Sequence, residues 1–179
     1  RWEAITEIGL ESALVSEGDG GLGLALAEFL PSLRELAPCA ADWPWVGTLV
    51  AAPLALAGST HLDDGAAVTA TMHAADAVPV LGDIRRVVLL AEGATLVVVD
   101  TEDRAVRRDL LDAETFAVGA REVADLAVPA TRTIAAARVA EAALLSGVGR
   151  HALNLAVSYA KTRQQFGSAI GAFQAIKHL

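Results

Sequence analysis

Apolar residues recur at helical spacing at both ends of the chain and alternate with polar residues between them. The first helical pattern ends near Gly9, a second begins at Leu26, and a third runs from Pro44 to about Ala57. Proline suits the first turn of a helix, because the amide hydrogen that it lacks would have no intrahelical partner there. These segments predict an N-terminal helical domain over residues 1–57.

The middle of the chain changes to the period of two that is typical of β-strands. Alternation begins at Val68, and alternating or β-branched runs follow at residues 87–91, 95–99 and 123–128. The connections between these runs are too short for crossover helices, which favours antiparallel pairing. Residues 58–129 are therefore expected to form a small antiparallel β domain.

A long helical pattern returns at about Thr131 and continues to Arg163. Apolar residues cover nearly its whole circumference, so we expect this helix to be buried among others. Gly147 and Gly149 each cost about 1 kcal/mol relative to alanine in mid-helix, which predicts close approach by a neighbouring helix. Helices, a small sheet and then helices again, with residues 130–179 as the last unit, define an α+β protein.

Composition and charge exclude several functions. The net charge is −8 and the arginines are scattered, which argues against a nucleic-acid partner. A single cysteine, Cys39, excludes an internal disulfide and a cysteine-rich zinc site, so a reducing, cytoplasmic location is expected. Charges at Arg138, Glu141 and Arg150 interrupt the most apolar stretch, residues 134–159, so no membrane span is expected. The chain starts without a methionine or a signal-like segment and stops within a helical pattern, so both ends are expected to be trimmed.

Several familiar chemical motifs are absent or weak. The four histidines are isolated, and no metal site is expected. Tyr159 and Lys161 do not form a catalytic pair, because residues two apart point away from each other on a helix. Gly18, Gly20 and Gly23 match the dinucleotide motif G-x-G-x-x-G, which has weight only between a strand and a helix of a βαβ unit. A turn between two helices is the favoured interpretation, and a dinucleotide site is the alternative.

Two arginines of the long helix are candidate ligand-binding residues. Arg138 stands in an apolar segment, where a charge must be paired or meet a ligand, and Glu141 is the plain helical partner. Arg163 lies at the polar end of the helix near Gln165 and Phe166, where guanidinium and amide groups can hold a phosphate or a planar ring. The alternative is an ordinary helix end at which basic side chains satisfy the last carbonyls. At 1.5 Å per residue the two arginines lie about 37 Å apart, so no single compact ligand bridges them.

The end of this helix carries the most specific pattern. The sequence from Tyr159 reads YAKTRQQFG, and FQAIKHL follows from Phe173. Together they resemble the Y-x-x-x-R-x-Q-F-G and F-Q-x-x-x-H segments of the acyl-CoA dehydrogenase family. Residues 7–10 and 17–24 resemble the N-terminal E-x-G-G-L-G turn of that family. The resemblance implies an acyl-CoA dehydrogenase-like fold, in which N-terminal helices and a β domain precede a four-helix bundle, with residues 130–179 as the first part of the bundle.

The resemblance also implies a function, the FAD-dependent α,β-dehydrogenation of an acyl-CoA thioester in fatty acid or steroid metabolism. Arg163, Gln165, Phe166 and Gln174 match family positions that contact the FAD of a neighbouring subunit. Arg138 would lie near the acyl-CoA substrate of its own chain. The implied partners are further subunits in a homo- or hetero-oligomer, expected as a dimer of dimers, and an electron-transfer acceptor. Compressed members of the family occur in heteromeric steroid-CoA dehydrogenases.

The catalytic residue stays unidentified at this level. Glu141 is favoured as the ion-pair partner of Arg138, so the glutamate base is expected beyond Leu179 or on a partner subunit. The family's Thr-Glu-Pro and Gly-Ser-Asp-like loop is not found between Thr60 and Asp83. Two functions therefore stay open: a subunit of an active dehydrogenase, or a non-catalytic assembly subunit that pairs with an active partner.

Overall fold

The computed structural model describes residues 2–38, 44–57, 68–71, 78–79, 86–90, 93, 95–100, 105–108, 115–118 and 121–177 of the chain. The helices are α1 (Trp2–Glu7), α2 (Leu26–Glu35), α3 (Ala52–Leu56), α4 (Thr131–Thr162) and α5 (Gln174–Lys177). The strands are β1 (Val68–Thr71), β2 (Val78–Pro79), β3 (Arg86–Leu89), β4 (Thr95–Asp100), β5 (Ala105–Arg108), β6 (Thr115–Val118), β7 (Arg121–Pro129), β8 (Gln164–Gln165) and β9 (Ser168–Ala169). This order confirms the α+β class.

The main sheet is mixed rather than wholly antiparallel. Its strands are ordered β1-β3-β4-β7, and the β3–β4 and β4–β7 pairs are antiparallel as expected. Strands β1 and β3 pair in parallel, with Val68 opposite Arg86, which differs from the prediction. The stretch between Thr71 and Arg86 is long enough for the crossover that parallel pairing requires. Within that stretch β2 joins a second, antiparallel sheet of order β2-β6-β5.

One hydrophobic core draws on the N-terminal helices, the main sheet and α4. The π-helical turn Gly47–Ala51 packs against β1 and α4, and α2 packs against α4. The division into three domains at residues 57 and 129 stays a prediction, since these segments share their buried side chains. Members of the shared core include Phe29, Leu33, Leu49, Val50, Val88, Val98, Ile134 and Ala140.

The glycine-rich turn before α2 folds back on the segment that precedes it. Gly20 and Gly23 adopt left-handed φ values of 84° and 65°. The amides of Gly21, Leu22, Gly23 and Leu24 donate to carbonyls of Ser16, Ser12, Val15 and Ala13. Residues 13–15 form no strand, so the turn is not part of a βαβ unit. The G-x-G-x-x-G match is therefore a turn between helical segments.

Helix α4 is one unbroken helix of 32 residues, as the pattern predicted. A stripe facing α2 and the π-helical turn is buried, and at Gly147 an added Cβ would collide with the Arg34 carbonyl and lie 2.9 Å from the Ala37 Cβ. Beyond that point Leu153 and Leu155 are 62% and 58% exposed. The prediction of burial on all sides was wrong for this structure, because the described elements cover one stripe only. No described helix is long and apolar enough to cross a membrane.

Candidate functional site

The end of α4 is capped by local donors. The Thr162 hydroxyl donates to the carbonyls of Ser158 at 3.0 Å and Tyr159 at 3.3 Å. The backbone N–H of Arg163 donates to Tyr159 at 2.8 Å, and Arg163 itself is extended, with φ −71° and ψ 122°. The Arg163 side chain is exposed and bonds to no described residue, so among the described residues it does not satisfy the last carbonyls of α4 as the alternative interpretation proposed.

A two-residue β-hairpin follows at once. Strands β8 and β9 pair with Gln164 opposite Ala169, and Phe166 and Gly167 form the turn. Their φ values are 52° and 80°, and two positive φ values are the pattern of a type I′ turn. Glycine adopts this conformation freely, whereas a left-handed non-glycine residue carries about 1–3 kcal/mol of strain. The hairpin thus holds Phe166 at its tip in an unfavourable backbone conformation.

The aromatic ring at this tip is almost entirely exposed. Phe166 is 94% exposed, and its ring meets the ring of Phe173 edge to face, with centroids 6.5 Å apart and planes at 81°. Apolar rings are normally buried, so a ring displayed on strained backbone indicates a ligand or partner. This hairpin, with Arg163 before it and Gln174 after it, is called the hairpin corner below.

The rest of the corner is polar and exposed. Arg163, Gln165 and Gln174 all face solvent, and no other described residue hydrogen-bonds or pairs with their side chains. Gly171 lets the segment after the hairpin return to α4, because its added Cβ would sit 3.1 Å from the Ala160 carbonyl. A guanidinium fork matches phosphate oxygens, amides read ring edges, and an aromatic face stacks on a planar ring. The donor set therefore fits the pyrophosphate and ring systems of FAD.

Arg138 and Glu141 occupy a different part of α4. Arg138 was predicted to be paired or to meet a ligand, because apolar residues surround it in sequence; its side chain is exposed beside the buried stripe that contains Ala137. The Arg138 side chain makes an interaction within the chain, so its charge is not without a partner. Glu141 is exposed as well. Since α4 is continuous, Arg138 stands far from Arg163, and its role in substrate binding stays a prediction.

Two further features concern the polar side chains of the described residues. Within the described ranges, no three His, Cys, Asp or Glu side chains gather as metal ligands. One carboxylate oxygen, Glu11 Oε2, is buried without a hydrogen-bond partner in the described structure. No sequence signal marked Glu11, because its surroundings depend on the packing of the short helical turn Leu10–Ser12.

Comparison with known proteins identifies the family that this sequence resembles. Residues 126–179 match the family model described as "Acyl-CoA dehydrogenase, C-terminal domain". The chain is 31% identical over 190 residues to the acyl-CoA dehydrogenase IpdE2 of Mycolicibacterium smegmatis, in an alignment covering 99% of this chain and 58% of that protein. It is 38% identical over 100 residues to the acyl-CoA dehydrogenase FadE34 of Mycobacterium tuberculosis, covering 52% of this chain and 14% of that protein.

Solved structures agree in fold. A variant of the Tcur3481-Tcur3483 steroid ACAD aligns with a TM-score of 0.72 and 25% identity, over 99% of this chain and 61% of that one. The ChsE4-ChsE5 complex from Mycobacterium tuberculosis aligns with a TM-score of 0.73 and 21% identity, over the same shares of the two chains, 99% and 61%. The helical, β and helical segments therefore have an acyl-CoA dehydrogenase-like fold. The chain belongs to the acyl-CoA dehydrogenase family and spans 58% of the length of the IpdE2 relatives.

Proposed function

We propose that this chain is part of an FAD-dependent acyl-CoA dehydrogenase and that its hairpin corner holds part of the FAD. The observation that carries the proposal is the Phe166 ring, 94% exposed on left-handed backbone beside Arg163, whose exposed guanidinium bonds to no described residue. Membership of the family supports the choice of cofactor. When bound, FAD supplies the acceptor for the β-hydrogen of the acyl thioester.

Each residue of the corner has a distinct role in the proposal. The Arg163 guanidinium would hold pyrophosphate oxygens, which its planar fork of donors matches. The amides of Gln165 and Gln174 donate and accept at polar edges of the cofactor. The Phe166 ring covers an apolar ring face. Arg138, far along α4, lies near the acyl-CoA bound by its own chain.

The corner acts across a subunit interface in this proposal. Phe166 projects from the surface at the tip of the hairpin, with Phe173 as its ring neighbour, so its free face is open to another chain. The similar structures named Tcur3481-Tcur3483 steroid ACAD and ChsE4-ChsE5 complex each carry two component names. By analogy, we propose that this chain also works in a heteromeric assembly and that its substrate is a bulky steroid-type CoA thioester. We further propose that it passes electrons to an electron-transfer acceptor and works in the cytoplasm.

The direct test is the visible spectrum of the full-length protein, purified alone and together with candidate partner subunits. The proposal expects flavin absorbance near ~450 nm in at least one assembly, because flavoenzymes retain their cofactor in a dedicated site. Reconstitution with added FAD serves as the control for loss during purification. Absence of flavin from every assembly after reconstitution would contradict the proposal.

A non-catalytic assembly subunit is the second candidate, because Glu141, the glutamate of α4, is exposed and does not suit the role of base in this chain. A base that removes a carbon-bound proton works in a site closed to water, whereas Glu141 lies in solvent. The assembly role predicts that Glu141→Gln leaves turnover unchanged, while Arg163→Ala lowers the flavin content of the partner. Loss of turnover in Glu141→Gln with flavin retained would indicate direct catalysis by this chain.

A further inference from the structure

The contact between the two phenylalanine rings assigns a role to Phe173. Phe166 has little else in the chain to limit its rotation, since it is 94% exposed at the end of two strands of two residues each. A hairpin this short is marginal by itself. The edge-to-face meeting with Phe173, at 6.5 Å and 81°, is the geometry that aromatic pairs prefer.

Phe173 is the better anchored of the two residues. Its backbone N–H donates to the Ile170 carbonyl at 3.3 Å, and its carbonyl accepts from Ile176 at 3.0 Å. The preceding segment is held against the end of α4, because Gly171 permits contact with the Ala160 carbonyl. Phe173 is 40% exposed, far less than its partner. A residue with an anchored backbone thus places its ring beside the displayed ring of Phe166.

We infer that Phe173 is a positioning residue, whose ring holds the Phe166 ring upright at the hairpin tip so that one face stays open to the planar ligand. The inference rests on the proposed function, since the ligand is the FAD of the assembly. Orienting an exposed side chain before the ligand binds lowers the entropy lost on binding. Phe173 can therefore tighten FAD binding without contacting the FAD itself.

The experiment is a double-mutant cycle on FAD affinity, measured by flavin fluorescence quenching in the full-length assembled protein stripped of cofactor. Phe173→Leu keeps apolar bulk but removes the aromatic ring, and we expect it to weaken FAD binding about threefold to tenfold, the range of an aromatic pair energy. Phe173→Tyr keeps the aromatic ring and should bind FAD as the parent does. In a Phe166→Leu background, Phe173→Leu should have no further effect, because it acts only through the ring that is gone.

The outcomes separate the inference from the proposed function. An equal loss on Phe173→Leu in both backgrounds would overturn the inference, since Phe173 would then act independently of Phe166. No loss on Phe173→Leu, with a loss on Phe166→Leu, would overturn it too while leaving the FAD site intact. No loss with any of these variants or with Arg163→Ala would instead overturn the proposed function. Circular dichroism of each variant checks that the fold is kept.

Discussion

At the residue scale, Phe166 combines two unfavourable properties. Its backbone is left-handed at φ 52°, where asparagine or glycine is preferred, and its ring is 94% exposed. Asparagine followed by Gly167 would be a better type I′ turn. Phenylalanine at position 166 is therefore better suited to contacting a ligand through its exposed ring than to forming the turn.

Phe166→Asn separates these two properties. Relief of about 1–3 kcal/mol of strain exceeds or balances the loss of a ring pair that contributes about 0.5–1.5 kcal/mol, so thermal stability should be unchanged or slightly raised. FAD affinity should fall by about tenfold or more, because stacking on the ring face is lost. Differential scanning calorimetry and FAD titration give the two values. Unaltered FAD affinity would show that the ring is not in the site.

Two glycines of α4 give a matched pair for packing. Gly147→Ala places a methyl group against the Arg34 carbonyl, whereas Gly149→Ala meets nothing within 4 Å. The first should destabilise by about 1–3 kcal/mol through overpacking. The second should stabilise by about 1 kcal/mol through helix propensity. Urea unfolding midpoints measure both, and comparable losses at the two positions would mean that the outer face of α4 is packed as well.

At the element scale, the π-helical turn is joined to β1 by a buried polar contact. The Thr48 hydroxyl donates to the Thr69 hydroxyl at 3.2 Å, and both residues are buried. Gly47 allows this approach, because an added Cβ would collide with the Ala70 carbonyl. The contact joins the π-helical turn to strand β1 of the main sheet.

Removing one partner of this contact should be worse than removing both. Thr48→Val leaves the Thr69 hydroxyl without its donor, and we expect a loss of about 1–3 kcal/mol in the free energy of unfolding. The double variant Thr48→Val with Thr69→Val should recover most of that loss, because valine keeps the shape of threonine. Additive losses in chemical denaturation would argue against a shared buried hydrogen bond.

The elements differ in how far the sequence predicts them. Helix α4 was predicted to within a residue, because a helical period sustained over 32 residues is a strong signal. Strands β2, β5 and β6 were missed, since runs of two to four residues carry little periodicity. The hairpin at Phe166 was missed as well, because Phe-Gly lacks the Asn-Gly signature of its turn.

At the scale of the whole molecule, the candidate site depended on a motif rather than on composition. Arg163, Gln165, Phe166 and Gln174 were singled out by a family pattern, while residue chemistry alone left an ordinary helix end open. The exposed Phe166 ring on left-handed backbone adds a physical reason to prefer a ligand site. The exposure of Arg138 was not predictable, since apolar residues surround it in sequence and only packing decides which stripe of α4 is buried.

The central claim is that the hairpin corner binds FAD, and Arg163→Ala tests it most directly. Arg150→Ala is the control, because it removes an equal charge from an exposed position within α4, away from the hairpin corner. In FAD titrations of the assembled protein, Arg163→Ala should weaken binding by about tenfold to a hundredfold, the loss of a charge-assisted bond of about 1.5–3 kcal/mol, whereas Arg150→Ala should bind as the parent does. Equal FAD affinity in all three proteins would contradict the claim.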